Sequence, residues 1–428
     1  MRQFSVTESK LCGAIQLPSS KSQSLRAILL GSLGAGRTTI KNCPPFEGTL
    51  SMIEACCSFG AKIHIEGSTV QIEGVGGRIL QTENVIDAGN SGIVLRFCTA
   101  VGALASKPVV ITGDYSIRHQ RPMKQLLKGL RELGVQADAM RGDEYAPVIL
   151  KGPLRPGTAF IEGSDSQPVS ALLIASAFAE GPVEIFVENP GEKPWVDMTL
   201  GWLDFLQIPY VNHSYEHFRL QGRALYNGFD YAVPGDLSSA AFPIAAALIT
   251  GSELLVKNID LDDSQGDKEF IFNLQKMGAH FTINRQAQTL LIKKGNILRG
   301  KTIDMNNCID AITTLAVVGC FSIGETKIVN ARVAREKECD RIKCMATELK
   351  KMGGDIEELE DGLVIRQSKL SGGMLNSYND HRMAMSLALA AMGAKGPSII
   401  GPVDCVGKTF PTFARDFSAL GANIREIS

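Results

Sequence analysis

The sequence predicts an α/β (α+β) protein made of six copies of one α/β unit, with three units in each of two domains. Two patterns carry this prediction. An amphipathic helix followed by a turn and a short strand occurs six times in the 428 residues, and a more apolar helix followed by a β-branched strand occurs six times between these copies. A chain of this length is also too long for one ordinary hydrophobic core, so two domains are expected.

The amphipathic helices end at turns that recur every 68 to 75 residues. Five of the six turn residues are glycine, which is typical of a helix that ends in left-handed backbone. The turn residues are Gly60, Gly134, Gln207, Gly278, Gly353 and Gly421. Such regular spacing indicates a repeated supersecondary unit, because one copy cannot bury both of its apolar faces alone.

The more apolar helices read as buried helices that stop at small residues and lead into a strand. The six copies span residues 24–40, 94–111, 169–187, 238–256, 311–329 and 383–400. Their apolar character predicts that they form the centre of each domain.

Composition excludes several classes of protein. Basic and acidic residues nearly balance, 44 against 45, which argues against a general nucleic-acid or membrane-surface binder. No segment approaches the roughly 18 apolar residues of a membrane span, and the N-terminus lacks a signal-peptide pattern. The ten cysteines form no C-x-x-C or zinc-ligand spacing. We therefore expect a cytoplasmic protein with free thiols and no metal.

Cations stand at the predicted helix starts, where a helix alone would favour acids. A helix N-terminus presents free N–H groups and a positive dipole end, so lysine or arginine there is unfavourable unless an anion binds. Four residues share this placement: Lys21, Arg341, Arg382 and Lys408. Each one alone is also explained as a solvated cap or a charged surface segment, and the anion-binding interpretation depends on the set.

Hydroxyl, amide and acidic residues accompany these cations. Serines that could serve as N-caps are Ser22, Ser166, Ser238 and Ser239. The segment DAGNSGIVLR places Asn90, Gly92 and Arg96 at a second helix start, and NNCIDAITT places Asp310 at a fifth. These residues suit a pocket that holds anionic groups and also contains one carboxylate.

The chain resembles the EPSP synthase (3-phosphoshikimate 1-carboxyvinyltransferase) family over nearly its whole length. The resemblance rests on motifs in the family's order: PSSKSQSLRAILLGSL, GNSGIVLRF, RPM, SDSQPVSALL, PGDLSSAAF, REKECDR, YNDHRMAMSLALAAMG and GKTFPTF. It implies a two-domain inside-out α/β barrel with three units in each domain. It also implies that residues 1–18 with 235–428 form one domain, that residues 19–234 form the other, and that the active site lies in the cleft between them.

The activity implied by the resemblance is transfer of the enolpyruvyl group of phosphoenolpyruvate to the 5-hydroxyl of shikimate 3-phosphate. Phosphate leaves after addition and elimination through a tetrahedral intermediate, as a step of chorismate and aromatic amino acid biosynthesis. The resemblance implies no metal, no organic cofactor and a monomer whose partners are its two small-molecule substrates. Binding residues in both halves of the chain imply that the domains close on the ligands.

The resemblance also assigns roles to single residues. The catalytic set is Asp310 as general base, Lys337, Glu338 and Lys21. Shikimate 3-phosphate is expected to bind Lys21, Ser22, Arg26, Ser166, Gln167, Asp310 and Lys337. Phosphoenolpyruvate is expected to bind Lys21, Asn90, Gly92, Arg121, Gln167, Arg341, Arg382 and Lys408.

The chain departs from the family's pattern at a few positions beside these residues. Glu192 and Trp195 stand where the family usually has serine and tyrosine, and Asp165 stands where many members have a serine. An acid beside a phosphate would repel it, so we expect Asp165 to point away from the ligand. Val333 stands where some members have a ligand-binding asparagine.

Two other functions stay open at this point. One is the related UDP-N-acetylglucosamine enolpyruvyl transferase, which usually has Asn-Ala-Ala after the first lysine and a mobile-loop cysteine that the Arg118–Arg121 region lacks. The other is a repeat scaffold with no chemistry, which would tolerate Asp310→Asn and Lys21→Ala.

Overall fold

The computed structural model describes residues 2–80 and 82–428. The α-helices in this part of the chain are α1 (Lys21–Leu33), α2 (Glu47–Ser58), α3 (Gly92–Gly102), α4 (Tyr115–His119), α5 (Lys124–Glu132), α6 (Ser166–Ala177), α7 (Lys193–Phe205), α8 (Leu237–Thr250), α9 (Lys268–Lys276), α10 (Ile312–Phe321), α11 (Arg341–Lys351), α12 (His381–Gly393) and α13 (Phe413–Ala419). Short 3₁₀ helices span Asn306–Ala311, Arg332–Glu336 and Asp404–Lys408.

The strands are short and are spread along the whole chain. They are β1 (Gln3–Val6), β2 (Ala14–Gln16), β3 (Ala35–Lys41), β4 (Lys62–Glu66), β5 (Thr69–Val75), β6 (Ile86–Asp87), β7 (Val109–Thr112), β8 (Gln136–Ala139), β9 (Val148–Lys151), β10 (Gly157–Glu162), β11 (Val183–Glu188) and β12 (Tyr210–His213), followed by β13 (His217–Leu220), β14 (Asp230–Ala232), β15 (Leu254–Lys257), β16 (Phe281–Asn284), β17 (Thr289–Ile292), β18 (Thr302–Asp304), β19 (Glu325–Val329), β20 (Asp355–Glu358), β21 (Leu363–Arg366), β22 (Met374–Asn376), β23 (Ser398–Gly401) and β24 (Ile424–Ile427).

The chain divides into two compact units. One unit, here called the continuous unit, is Ser19–Val233. The other, the discontinuous unit, combines Met1–Pro18 with Pro234–Ser428. Each unit has its own cluster of buried apolar side chains.

Six four-stranded sheets share one strand order, and each unit contains three of them. The sheets are β14-β3-β5-β4, β6-β7-β9-β8 and β10-β11-β13-β12 in the continuous unit, and β2-β15-β17-β16, β18-β19-β21-β20 and β22-β23-β1-β24 in the discontinuous unit. In every sheet the first two strands are parallel and the remaining pairs are antiparallel. The predicted α/β class and the six repeated units are confirmed.

Each sheet has two strands that follow a helix in the chain, one strand for each kind of helix that the sequence predicts. The buried helices α1, α3, α6, α8, α10 and α12 lead into the second strand of their sheets, and the amphipathic helices α2, α5, α7, α9, α11 and α13 lead into the fourth. Helices α3 and α6 show the burial most clearly, since nearly every side chain in them is inaccessible to solvent. Within each unit the helices are therefore inside and the sheets outside, because the sheets can leave one face in water while these helices cannot.

The six turns that end the amphipathic helices all adopt left-handed backbone, as the spacing predicts. The five glycines have φ between 81° and 105°, and Gln207 has φ 56°. A side chain is unfavourable in this region of backbone conformation, which explains the preference for glycine. The repeat therefore persists at Gln207 without the residue type that normally marks it.

Two expectations about local structure have different outcomes. All ten cysteines are free thiols, as expected. The serines proposed as N-caps lie instead within the first turns of their helices, and Ser20, Asp165 and Asp236 are the caps. A carboxylate suits this position because it accepts the free N–H groups and also offsets the helix dipole. Of the helices in residues 2–80 and 82–428, none is long and apolar enough to cross a membrane.

Replacing Gln207 by glycine should stabilise the continuous unit. Glycine adopts φ 56° without a Cβ penalty, so we expect a gain of about 0.5–1 kcal/mol despite the larger entropy of the unfolded chain. Thermal unfolding checks this, with Gln207→Ala as the matched control that keeps the penalty. An equal change in both variants would contradict the explanation.

Candidate active site

Asp310 in the discontinuous unit lies between two arginines. It follows β18 in the 3₁₀ helix Asn306–Ala311, just before α10 begins. Its Oδ1 accepts a hydrogen bond from Arg341 Nη1 at 2.9 Å, and its Oδ2 accepts one from Arg382 Nη2, also at 2.9 Å. The carboxylate remains 22 % exposed, so a ligand can reach it.

Arg341 is the most highly connected cation in this group. Besides Asp310, its Nη2 donates to Glu338 Oε2 at 2.6 Å and its Nε donates to Asp380 Oδ2 at 2.8 Å. The side chain is 1 % exposed, and these carboxylates outweigh the effect of burial and raise its pKa. One guanidinium thus holds three acids in fixed positions, as its planar set of donors allows.

Opposing effects set the pKa of Asp310. Burial acts to raise it, but the charges of Arg382, Arg341 and Lys337 are stronger together and hold the pKa of Asp310 well below its usual range. The carboxylate is therefore ionised at every physiological pH. It can accept a proton, but its two arginines make it a weak base for as long as they remain paired with it.

The other predicted residues of this unit, Lys337, Glu338 and Lys408, lie at the ends of short 3₁₀ helices. Lys337 and Glu338 immediately follow the 3₁₀ helix Arg332–Glu336, and both are buried. Asp380 caps α12 by accepting from the N–H of Arg382, which fixes the start of that helix. Lys408 ends the 3₁₀ helix Asp404–Lys408 and is also buried, and its charge is felt by Cys405, as are those of Asp380 and Glu338.

Two further buried acids lie near Asp310 that the sequence analysis did not select. Asp236 caps α8, and Asp267 stands directly before α9, where its Oδ2 accepts from Ser238 Oγ. The Oδ1 of Asp267 has no hydrogen-bond partner among residues 2–80 and 82–428. Burial, and then the charge of Asp310, raise the pKa of Asp267 to about 7.

A second cluster of cations lies in the continuous unit around Gly92, the first residue of α3. A Cβ added there would lie 3.0 Å from Arg121 Nη1, 3.1 Å from Arg96 Nη1 and 3.2 Å from Gln167 Oε1. Arg96 Nη1 donates to Gln167 Oε1 at 2.7 Å, and its Nη2 pairs with Asp165 Oδ2 at 3.1 Å. Gly92 therefore allows two guanidinium groups and an amide to approach the start of α3 closely.

Asn90 lies beside the same helix start and is almost fully buried. Its Nδ2 donates to Ser116 Oγ at 2.9 Å and also to Asp114, which caps the short helix α4. Its Oδ1 has no hydrogen-bond partner in the part of the chain that the structure describes. The amide group is thus fixed by its nitrogen, while the oxygen is not used within this part of the protein.

Lys21, Ser22 and Arg26 lie along the first two turns of α1. Arg26 is buried, donates from Nε to Thr199 Oγ1 at 3.0 Å and from Nη2 to the Trp195 carbonyl at 3.2 Å. The Lys21 side chain passes close to Gly48 at the start of α2. The structure therefore ties α1 to α7 through Arg26 and leaves Lys21 directed towards α2.

Ser166 is already engaged by an acid of the protein. Its N–H and its Oγ both donate to Glu192 Oε2, at 2.9 and 2.8 Å. The neighbouring Asp165 accepts from the N–H of Gln167 and pairs with Arg96, so it is both a helix cap and an ion-pair partner. Two carboxylates thus occupy the donors at the start of α6.

The structure brings the predicted residues together as two sets. The set in the discontinuous unit contains Asp310, Lys337, Glu338, Arg341 and Arg382, and the charges of Lys408, Asp380 and Glu338 all act on Cys405. In the continuous unit Gly92, Arg121 and Gln167 form a second set, while Arg26 and Ser166 each bond to α7 or to the residue that precedes it. The first set has a carboxylate that accepts protons beside cations that bind anions.

Several residues that fix these geometries were missed by sequence reasoning. Asp380 and Asp236 are N-caps, and an aspartate directly before an apolar helix was the available signal. Arg96 stands in the same motif as Gly92, but nothing in the sequence shows its contact with Gln167. Asp267 gave no sequence signal, since the approach of α9 to Asp310 depends on tertiary packing.

Comparison with known proteins finds one family over nearly the whole chain. The profile of EPSP synthase (3-phosphoshikimate 1-carboxyvinyltransferase) matches residues 6–417. The chain is 43 % identical to a 3-phosphoshikimate 1-carboxyvinyltransferase of Acetivibrio thermocellus over 98 % of both chains, and 40 % identical to one of Methanocella arvoryzae over 98 % of this chain and 99 % of the relative.

Solved structures show the same fold. The chain matches the EPSP synthase of Acinetobacter baumannii with a TM-score of 0.84 and 28 % identity, over 100 % of both chains. It also matches the enolpyruvyl transferase NikO of Streptomyces tendae with a TM-score of 0.80, over 100 % of this chain and 99 % of that one. The second match is 18 % identical and speaks for the fold alone.

Asp267→Asn should change how stability depends on pH. The folded-state pKa of Asp267, about 7, lies above the unfolded value near 4, so folding retains its proton and stability falls as pH rises through this window. An asparagine has no charge to bury, so the variant should unfold at a higher temperature than the wild type at pH 8 and not at pH 5.

Thermal unfolding at several pH values measures this difference. Asp355→Asn, which removes an exposed carboxylate of β20 in the same unit, is the control. It should change the unfolding temperature by the same amount at pH 5 and at pH 8. A midpoint difference for Asp267→Asn that does not grow between pH 5 and pH 8 would contradict the prediction.

Proposed function

The chain belongs to the EPSP synthase family, and we propose that it transfers the enolpyruvyl group of phosphoenolpyruvate to the 5-hydroxyl of shikimate 3-phosphate. The observation that carries the proposal is the position of Asp310, a partly exposed carboxylate held by Arg341 and Arg382. This transfer needs a proton acceptor for a hydroxyl next to cations for a substrate carboxylate and phosphate, and this group of residues supplies both.

Phosphoenolpyruvate is assigned to cations of both units. Its anionic groups suit guanidinium donors, which bind carboxylate and phosphate with two hydrogen bonds. The proposed ligands are Lys21, Asn90, Gly92, Arg121, Gln167, Arg341, Arg382 and Lys408. The close approach of Arg121 and Gln167 to Gly92, and the unused Oδ1 of Asn90, support this assignment.

Shikimate 3-phosphate is assigned to the starts of α1 and α6 and to the base. The proposed ligands are Lys21, Ser22, Arg26, Ser166, Gln167, Asp310 and Lys337. Two anionic substrates have to be held together against their own repulsion, so a large number of cations relative to ligand charge is required.

The pairing of Asp310 with two arginines suggests how its basicity is controlled. While Arg341 and Arg382 donate to Asp310, its pKa stays low and it accepts protons poorly. A phosphoenolpyruvate carboxylate competes for the same guanidinium donors. As they turn to the substrate, Asp310 loses part of its compensation and becomes a stronger base at the moment when both reactants are present.

The reaction then proceeds by addition and elimination. Asp310 takes the proton of the 5-hydroxyl of shikimate 3-phosphate while the hydroxyl oxygen adds to C2 of phosphoenolpyruvate. The methylene carbon C3 gains a proton from an acid in the site, for which Glu338 and Lys337 are the candidates. In the second half C3 loses a proton, the double bond re-forms and the C2–O bond to phosphate breaks. No covalent bond to the protein is formed.

We further propose that the protein acts on these small molecules as a monomer in the cytoplasm, with no organic cofactor or metal and without nucleic acid or membrane. The enolpyruvyl transferase for UDP-N-acetylglucosamine is disfavoured by the Ser-x-Ser-x-x-Arg run after Lys21, where that enzyme usually has Asn-Ala-Ala. A scaffold without chemistry is disfavoured by the specific pairing of Asp310.

Asp310→Asn should lower kcat by at least about 10²-fold, the usual range for loss of general acid–base catalysis. The amide keeps the size of the side chain and cannot accept the hydroxyl proton. Phosphate release from phosphoenolpyruvate with shikimate 3-phosphate measures it, and Asp355→Asn is the control with an exposed carboxylate removed from the same unit.

Acceptor specificity is tested in the same assay. Wild-type protein should release phosphate with shikimate 3-phosphate and not with shikimate or UDP-N-acetylglucosamine. Release with the nucleotide sugar would show that the protein has the activity of UDP-N-acetylglucosamine enolpyruvyl transferase instead. No release with any acceptor, or full activity of Asp310→Asn, would refute the proposed function.

Gly92→Ala should raise the KM for phosphoenolpyruvate by about tenfold and change the KM for shikimate 3-phosphate little. The new methyl group would lie 3.0 to 3.2 Å from Arg121, Arg96 and Gln167, so it must shift the groups that hold the ligand. Steady-state kinetics with each substrate varied in turn gives both constants. Gly201→Ala, in α7 with no heavy atom within 4 Å of the added Cβ, is the matched control.

A further inference from the structure

A buried carboxylate of the protein accepts the hydrogen bonds of Ser166, which the proposed function assigns to the acceptor substrate, shikimate 3-phosphate. Glu192 is 2 % exposed, and its Oε2 accepts from both the N–H and the Oγ of Ser166. The next N–H of α6, that of Gln167, is taken by Asp165. Internal acids therefore fill the anion-binding end of this helix.

The two acids differ in the backbone conformation from which they reach α6. Asp165 is compensated by Arg96 at 3.1 Å and caps α6 in the ordinary way, with extended backbone. Glu192 has left-handed backbone at φ 45° and ψ 39° and stands at the N-cap of α7 without capping it with its side chain. A non-glycine residue keeps such backbone only where the surroundings enforce it, and the bonds to Ser166 are among the contacts that hold Glu192 in place.

A second polar group beside Glu192 has an unused donor. Trp195, which donates its N–H to the Glu192 carbonyl at 2.9 Å, is 9 % exposed. Its indole Nε1 has no hydrogen-bond partner in the part of the chain that the structure describes. Its carbonyl accepts from Arg26, one of the cations assigned to the acceptor. Glu192 and Trp195 thus place one acceptor and one unsatisfied donor next to each other before and within the first turn of α7.

We propose that Glu192 limits the affinity for the acceptor, shikimate 3-phosphate, because it competes inside the protein for the donors that bind the acceptor's phosphate, an inference that rests on the proposed function. A phosphate and the Glu192 carboxylate cannot both accept from the single N–H of Ser166, and their like charges repel at that distance. The acceptor therefore has to displace Glu192 before its phosphate reaches α6. The displacement costs free energy that the contacts of the phosphate have to supply, so Glu192 weakens the binding of shikimate 3-phosphate and leaves the binding of shikimate, which has no phosphate, unchanged.

Two substitutions separate the effect of the negative charge of Glu192 from the effect of its side chain occupying the donors of Ser166. Glu192→Gln keeps the size of the side chain and removes its charge, and Glu192→Ser is too short to reach Ser166. Glu188→Gln, at the exposed end of β11, removes a nearby carboxylate that takes no part in the contact and is the control. Thermal unfolding of each variant verifies that it is folded.

The experiment is calorimetric titration of wild type and the three variants with shikimate 3-phosphate and, separately, with shikimate. We expect Glu192→Ser to bind shikimate 3-phosphate at least about tenfold more tightly than wild type and Glu192→Gln to lie between them, because a neutral amide competes less than a carboxylate. Shikimate, which lacks the phosphate, should bind all four proteins within about twofold.

Each other outcome overturns the inference. Unchanged binding of shikimate 3-phosphate means that the phosphate lies elsewhere, and weaker binding of both ligands means that Glu192 contacts the ring hydroxyls. Tighter binding of both ligands equally means a general change of the pocket. The proposed function is judged separately by wild-type phosphate release, so that turnover without the Glu192 effect refutes only this inference, and a Glu192 effect without turnover refutes only the proposed function.

Discussion

The guanidinium of Arg341 is the point on which the acidic half of the site depends. It joins Asp310 before α10, Glu338 before α11 and Asp380 at the cap of α12, and so it connects three segments that the sequence places far apart. Because Arg341 and two of these acids, Glu338 and Asp380, are buried, its removal would weaken the compensation of carboxylates in a poorly solvated place, which costs more than the loss of any one hydrogen bond. The hydrogen bonds that fix these three segments are thus the same ones that position the candidate catalytic residues Asp310 and Glu338.

Both units use the same electrostatic device. Buried or nearly buried arginines are paired with acids of the chain: Arg341 and Arg382 with Asp310, and Arg96 with Asp165. Glu192 applies the same device to backbone and hydroxyl donors. The protein can therefore bury several guanidinium groups close together without excess charge, and under the proposed function an incoming anion would take the place of these acids.

Much of the fold was predictable because it repeats. Hydrophobic periodicity located both kinds of helix, and the regular turns predicted left-handed backbone even at Gln207. Motifs also identified the cations and Asp310. The sequence could not show which acid lies against which cation or hydroxyl donor, since the pairs Arg96–Asp165 and Ser166–Glu192 join residues 69 and 26 positions apart and depend on helix packing. The serine caps were predicted wrongly because a residue one to three positions earlier takes the cap: Asp165 before Ser166, Asp236 before Ser238 and Ser239, and Ser20 before Ser22. For the two aspartates, the negative charge also offsets the helix dipole.

Three sheets are completed by strands that are distant along the chain. Strand β14 completes the sheet of β3, β2 completes that of β15, and β1 lies between β23 and β24. During synthesis the first sheet must therefore wait for residue 232, and the last sheet cannot form until the C-terminal strand has left the ribosome. Pairings of this range make folding slow and leave strand edges open meanwhile. The two chain ends also finish as neighbours, since Gln3 pairs with Ile427, so a short linker could join them and new ends could be opened in a surface loop.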